Sequence, residues 1–398
     1  MGGIFDIGCE CSKKPEISDR GSSIKRIRVT DSTSSEIIYS TIMPKELYHD
    51  NSTIIPKNIN GNNIKNTELN VFEKYIQIYV LGQSYYSKVY KVQNKLNNQI
   101  RAMKEIPKEN IENANETGYI VSSINILRNL DHPNISRLYE FYEDEKNFYL
   151  IYDLCENITI NEIILKENIF MCEFLLKFIM YKLLMAVDYL HRLKIIHGNI
   201  KISNIGLIKK PTKDTTKKDL NIIEIIKEIC TNNNLRHELE TENNIEALSE
   251  QTKIFINKLL RYDIKLLDCW SQGLFIRKAT TVEKIDLILD TYYLSPELFD
   301  ANVTKERDEW ACGIIMFYLI KLDYPFDGNT RREIVYEIHN RDIDDEINDL
   351  KASKECKDLL FKLLNKNPHY RIKAEEALKH SFFKKGIDIS AIINKNFI

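Results

Sequence analysis

The sequence predicts an α+β protein of two lobes, a strand-rich first lobe followed by a mainly helical second one. Three observations predict it. β-branched and aromatic residues alternate over about 75–106, the periodicity turns helical after about 152, and apolar residues make up 43% of the chain. Strands repeat every two residues and helices every 3.6, so the change of period marks the change of lobe. The 398 residues suit one such domain of roughly 250 to 310 residues plus a tail.

Residues 1–70 lack sustained periodicity and are rich in Ser, Thr, Asn and Gly, as in Asp31-Ser32-Thr33-Ser34-Ser35. Disorder or loose docking is the expectation there. Tyr75–Leu81, Ser87–Val92 and Gln99–Ile106 then read as three strands joined by short turns, an antiparallel meander. A helical run near Thr117–Leu130 follows, and Phe148–Tyr152 reads as a further strand. From Phe174 to Leu190, apolar residues fall at 174, 175, 178, 179, 183, 184, 187 and 190, the spacing of a helix buried on one broad face. The cleft between the lobes is the expected site.

Lys and Arg total 56 against 58 Asp and Glu, so global charge favours no nucleic-acid partner. The eight cysteines are scattered apart from Cys9 and Cys11, which is neither a disulfide framework nor a zinc spacing. A reducing cytosol is expected. No run of about 18 apolar residues occurs, so neither a membrane span nor a secretory leader is predicted. Met1-Gly2 with Cys9 and Cys11, followed by six basic and two acidic residues over Lys13–Arg28, resembles an acylated N-terminus. Myristate would sit on Gly2, palmitate on a cysteine, and the location would be cytoplasmic with association to the cytosolic membrane face. Asp6 stands where that motif asks for Ser or Thr, and a plain flexible terminus with two exposed thiols is the alternative.

The most informative stretch is Ile195-Ile196-His197-Gly198-Asn199-Ile200-Lys201-Ile202-Ser203-Asn204, with Leu267-Asp268-Cys269-Trp270 much later. These runs resemble the H-R-D-x-K-x-x-N and D-F-G motifs of protein kinases. Asn125-Ile126-Leu127-Arg128-Asn129-Leu130-Asp131-His132-Pro133-Asn134-Ile135 narrows the resemblance to the calcium-dependent protein kinase and calmodulin-kinase branch. Tyr292-Tyr293-Leu294-Ser295-Pro296-Glu297, Asp308-Glu309-Trp310-Ala311-Cys312-Gly313 and Asn367-Pro368-His369-Tyr370-Arg371 continue it in order.

The resemblance implies a bilobal protein-kinase fold over 71–385, with an antiparallel-sheet N-lobe at 71–154, a mainly helical C-lobe at 155–385 and a C-terminal tail at 386–398. It implies an ATP site drawn from Gly82, Val89, Ala102, Lys104, Asp153, Cys155, Asn204 and Asp268, with Asn204 and Asp268 as Mg²⁺ ligands. Lys201 would reach the γ-phosphate, and Tyr152 takes the gatekeeper position. Glu297 and Arg371 would form a buried ion pair, and Asp308 would brace the catalytic loop.

Several departures bear on chemistry. Gly82-Gln83-Ser84-Tyr85-Tyr86-Ser87 keeps one glycine of the phosphate-covering G-x-G-x-x-G loop. Ser123 stands where the partner carboxylate of Lys104 belongs, which predicts an unpartnered cation unless Glu112 or Glu116 substitutes. Asn199 replaces the aspartate that accepts the substrate hydroxyl's proton, and an amide is no useful proton acceptor. General-base help is worth about 10² to 10⁴ in rate, so a turnover of about 1 to 100 per second would fall to about 10⁻⁴ to 1 per second. Cys269 replaces the phenylalanine that packs between the lobes, and Trp270 the glycine that lets that segment swing.

The expectation is a pseudokinase that scaffolds or allosterically regulates a protein partner in phosphorylation signalling, with weak ATP and Mg²⁺ binding. The alternative is a slow serine/threonine protein kinase with protein substrates. An insert at about 207–263, with apolar runs Leu220–Ile229 and Ile245–Leu260, either docks a partner or packs on its own lobe. No D-x-[DN]-x-[DN]-G loop occurs, so no calcium-binding hands are expected in this chain.

Overall fold

The computed structural model describes residues 70–83, 87–110, 124, 126–155, 160–167, 171–210, 221–269, 290–299 and 304–395. The first lobe is a five-stranded antiparallel sheet of β1 (Tyr75–Gln83), β2 (Lys88–Asn94), β3 (Ile100–Pro107), β4 (Leu138–Glu143) and β5 (Asn147–Tyr152), ordered β1-β2-β3-β5-β4. Alternation in β3 and β5 feeds two cores. Val92, Met103 and Ile151 are buried together under one face, while Ile106, Phe148 and Leu150 point into the larger core shared with the second lobe. The sequence reading misses β4, whose pairing with β5 slips between Leu138 and Glu140 and so breaks the period of two.

Two long helices form the centre of the second lobe, α1 (Glu173–Arg192) and α5 (Arg307–Lys321). α1 buries Phe174, Phe178, Leu183, Leu184, Val187 and Leu190, the broad face its spacing predicts. Almost every residue of α5 is buried, which suits a helix surrounded by its own lobe. Arg371 holds Glu297 bidentately at 2.7 and 3.0 Å, with both side chains almost fully buried.

Between the lobes' shared loop and Asp268 lies a hairpin of β6 (Ile205–Lys209) and β7 (Tyr262–Leu266). Residues 207–209 and 262–263, expected within the insert, belong to these strands, so the added chain is the hairpin's connection. It carries α2 (Ile222–Thr231), α3 (Asn233–Thr241) and α4 (Glu250–Leu259). Asn221 caps α2 with a reciprocal Glu224 contact, and Asn232 caps α3. Ile222, Ile225, Ile226, Ile229, Leu235, Leu239, Ile256 and Leu259 are buried in the second lobe's core. Of the two expectations for the insert, packing on its own lobe is the one observed. Residues 386–395, assigned to a tail by sequence, end in α6 (Ile389–Lys395), which packs on α1 and buries Ile387, Ile389, Ile392 and Ile393. Among the described residues no helix is long and apolar enough to cross a membrane.

Candidate active site

The sheet register gathers the expected nucleotide residues before any side-chain contact is considered. Gly82 pairs with Val89, Val89 with Lys104 and Lys104 with Leu150, one row across four strands. Directly opposed residues share a face, and Ala102 lies two residues from Lys104 on the same side. Val89, Ala102 and Lys104 therefore face the cleft together, and a Cβ at Gly82 would meet open space.

Lys104 Nζ lies 2.5 Å from Asp268 Oδ1, with 8% of the lysine and 27% of the aspartate side chain exposed. The unpartnered cation predicted from Ser123 is thus corrected. Its carboxylate comes across the cleft from the end of β7, because Asp268 adopts a left-handed backbone (φ 66°), tolerable for Asp, that turns the chain after the strand. Burial pushes the Asp268 carboxyl up, yet Lys104, with Lys201 and His197 behind it, holds it below the usual carboxylate range.

Residues 197–204 are fastened from both sides. Asp308, at the start of α5, accepts the backbone N–H of His197 and of Gly198, each at 2.8 Å. Its carboxyl is pushed up by burial but held down overall by His191, His197 and the Gly198 N–H. Gly198 sits at φ +71°, which a residue without Cβ adopts freely, and Arg307 donates to its carbonyl at 3.0 Å. The Asn199 N–H donates to His197 Nδ1 at 3.2 Å while Nε2 lies 3.0 Å from the Leu267 carbonyl. That pattern fits a neutral imidazole protonated on Nε2, and burial lowers its pKa further. His197 so ties the loop to the residue preceding Asp268.

Asn204 is buried, donates from its side-chain Nδ2 to the Asn199 carbonyl at 2.9 Å, and accepts the Leu267 N–H on its backbone carbonyl at 2.9 Å. Asn204 and Asp268 are therefore locked as neighbours across the hairpin's ends. Their amide and carboxylate oxygens are hard donors that suit Mg²⁺ when nucleotide phosphates complete its octahedron. Among the described residues no cluster of three His, Cys, Asp or Glu forms an all-protein metal site.

One residue at this site escaped the sequence reading. Lys201 Nζ meets Asp290 Oδ1 at 2.7 Å, with side chains 18% and 27% exposed. Asp290 belongs to the turn before Pro296–Phe299, where the Tyr293 N–H donates to its carbonyl at 3.3 Å. Tyr292 stacks on Tyr324 at 4.3 Å, and the Tyr293 and Tyr324 hydroxyls meet at 3.0 Å, so the turn stands on a fixed aromatic base. The available signal was an acidic residue just ahead of the Tyr-Tyr pair.

At the hinge, Tyr152 is raised well above the usual phenol range by burial, and Asp268 and Cys269 add to it. Its hydroxyl is buried without a hydrogen-bond partner among the described residues. The Asp153 carboxylate is turned into the scaffold, accepting the Arg137 N–H at 3.0 Å and the Tyr139 hydroxyl at 2.8 Å, with Lys265 at 3.3 Å. The Asp153 side chain, expected at the nucleotide site, is thus committed to the scaffold. Cys155 packs against Gly206 so closely that a Cβ there would meet its Sγ at 2.7 Å. Cys269 is buried, which pushes its thiol up and leaves it unreactive. Gly2, Cys9, Cys11, Ser84, Tyr85, Tyr86, Glu112, Glu116, Ser123 and Trp270 lie outside the described residues.

A sheet lobe over a helical lobe, with a strand lysine facing an aspartate and an asparagine across the cleft, defines a protein kinase fold. The protein kinase domain family matches residues 75–218 and 273–383, and the chain belongs to that family. It is 29% identical over 350 residues to calcium-dependent protein kinase 5 of Plasmodium falciparum (isolate 3D7), covering 87% of this chain and 51% of that one. Calcium-dependent protein kinase 3 of Plasmodium berghei (strain Anka) is 29% identical over 309 residues, covering 77% and 46%. The chain spans about half the length, or less, of the curated relatives it matches. The crystal structure of Rad53 1–466 in complex with AMP-PNP shares the fold at a TM-score of 0.55 and 19% identity, over 78% of this chain and 66% of that one.

Proposed function

We propose that this chain is a nucleotide-binding pseudokinase, a protein-kinase fold that binds ATP weakly, with Mg²⁺, in its cleft and regulates or scaffolds a protein partner in phosphorylation signalling. The observation that carries the reading is the asymmetry of the site. Lys104, Asn204 and Asp268 converge as a phosphate and metal cradle, while an amide at Asn199 stands where the proton acceptor is needed. Acylation of Gly2 with Cys9 or Cys11 would place that regulator on the cytosolic face of a membrane, and the basic stretch Lys13–Arg28 supports this.

The second reading, a slow serine/threonine kinase, is favoured by the retention of Lys104, Lys201, Asn204 and Asp268 together. Two measurements separate the readings. A raised melting temperature with ATP and Mg²⁺ supports nucleotide binding, because a ligand selective for the native state stabilises it. Radiolabelled phosphate transfer to a peptide library that disappears in Asp268→Ala would overturn the pseudokinase.

A further inference from the structure

The described residues hold two ion pairs of alternating charge, Lys104 with Asp268 at 2.5 Å and Lys201 with Asp290 at 2.7 Å. Two cations are thus matched by two carboxylates before any ligand enters. Lys104 belongs to the first pair, in the Gly82–Val89–Lys104 row of the sheet. Lys201 belongs to the second, and its counter-ion is carried in by the turn at 290–295.

We infer that Asp290 makes the site selective for a nucleoside diphosphate over the triphosphate. The inference rests on the nucleotide-binding reading above. A diphosphate with Mg²⁺ uses Lys104, Asn204 and Asp268 and leaves the Lys201–Asp290 pair intact. A third phosphate, which the kinase resemblance assigns to Lys201, would bring another negative charge to a cation already paired with a carboxylate. At short range in a partly buried site, one uncompensated like-charge contact changes affinity by about tenfold or more. The turn that carries Asp290 is fixed by the Tyr293 N–H on the Asp290 carbonyl and by the packing of Tyr292 and Tyr293 on Tyr324.

The test is calorimetric titration of the full chain with ADP and with the non-hydrolysable triphosphate AMP-PNP, each with Mg²⁺, for wild type, Asp290→Asn and Asp290→Ala. The expected result is a wild-type preference for ADP of about tenfold or more. Both variants should tighten AMP-PNP enough to erase that preference and leave the ADP Kd within about twofold. Equal affinity for both nucleotides, unmoved by either variant, overturns the inference while nucleotide binding stands. No binding of either nucleotide overturns both. Phosphate transfer by wild type that Asp290→Asn abolishes would make Asp290 the proton acceptor and also overturn it. Melting-temperature shifts with each nucleotide show whether a variant that fails to bind is folded.

Discussion

Lys104 and Asp268 join the two lobes through a direct contact at 2.5 Å, a link between residues 164 positions apart in the chain. The strand lysine is therefore positioned by an aspartate from the other side of the cleft. Removing one member of such a pair leaves the other with its desolvation uncompensated, and the burial of the two is unequal.

Asp268→Asn should cost more stability than Lys104→Met, because it removes the counter-charge at 2.5 Å from the more buried ion. A loss of about 1–3 kcal/mol is expected for Asp268→Asn in urea unfolding without nucleotide. Lys104→Met should lose less, since Asp268 retains access to water. Equal losses would show that the pair is not what holds Lys104.

Asn199→Asp returns a carboxylate to the catalytic loop without changing its size. If the lost proton acceptor limits turnover, phosphate transfer to a peptide library should rise by about 10² or more. The backbone contacts Asn199 N–H to His197 and Asn204 to the Asn199 carbonyl do not depend on the substituted atom. Melting temperature is therefore expected to stay close to wild type.

Stability should fall as pH rises from about 6.5 to about 10, through His191. Burial pulls this imidazole down, but Asp308 at 2.9 Å and Glu309 at 3.1 Å raise its pKa from 6.5 to about 10. A group whose folded pKa lies above its unfolded one contributes fully below the unfolded value and loses that contribution as pH climbs to the folded one. Unfolding measured across that window should flatten in His191→Gln, which cannot become charged.

Ile229→Ala should cost about 2–5 kcal/mol, as for any fully buried large-to-small change in a core. The measurement separates an integral insert from a peripheral one. A change near zero in chemical unfolding would mean that α2 melts apart from the lobe it packs on.

The alternating runs at β1, β2, β3 and β5 and the wide apolar face of α1 were legible because each is a local period set by one buried surface. β4 was not, since a slip in pairing disturbs its period. α3 was also missed. Its mean composition is polar, and only Leu235 and Leu239 face inward. At the site, the ordered motifs located Lys104, Lys201, Asn204 and Asp268, but they could not show what each charge touches.

Sequence by itself determined the family, the order of the lobes and the amide at Asn199, because those are properties of residue type and spacing along one chain. Only the tertiary structure decided that Lys104 is paired, that Asp153 faces the scaffold, and that Asp290 sits on Lys201. Coulomb interactions act through space over a few ångströms, and these partners come from segments separated by 14 to 164 residues.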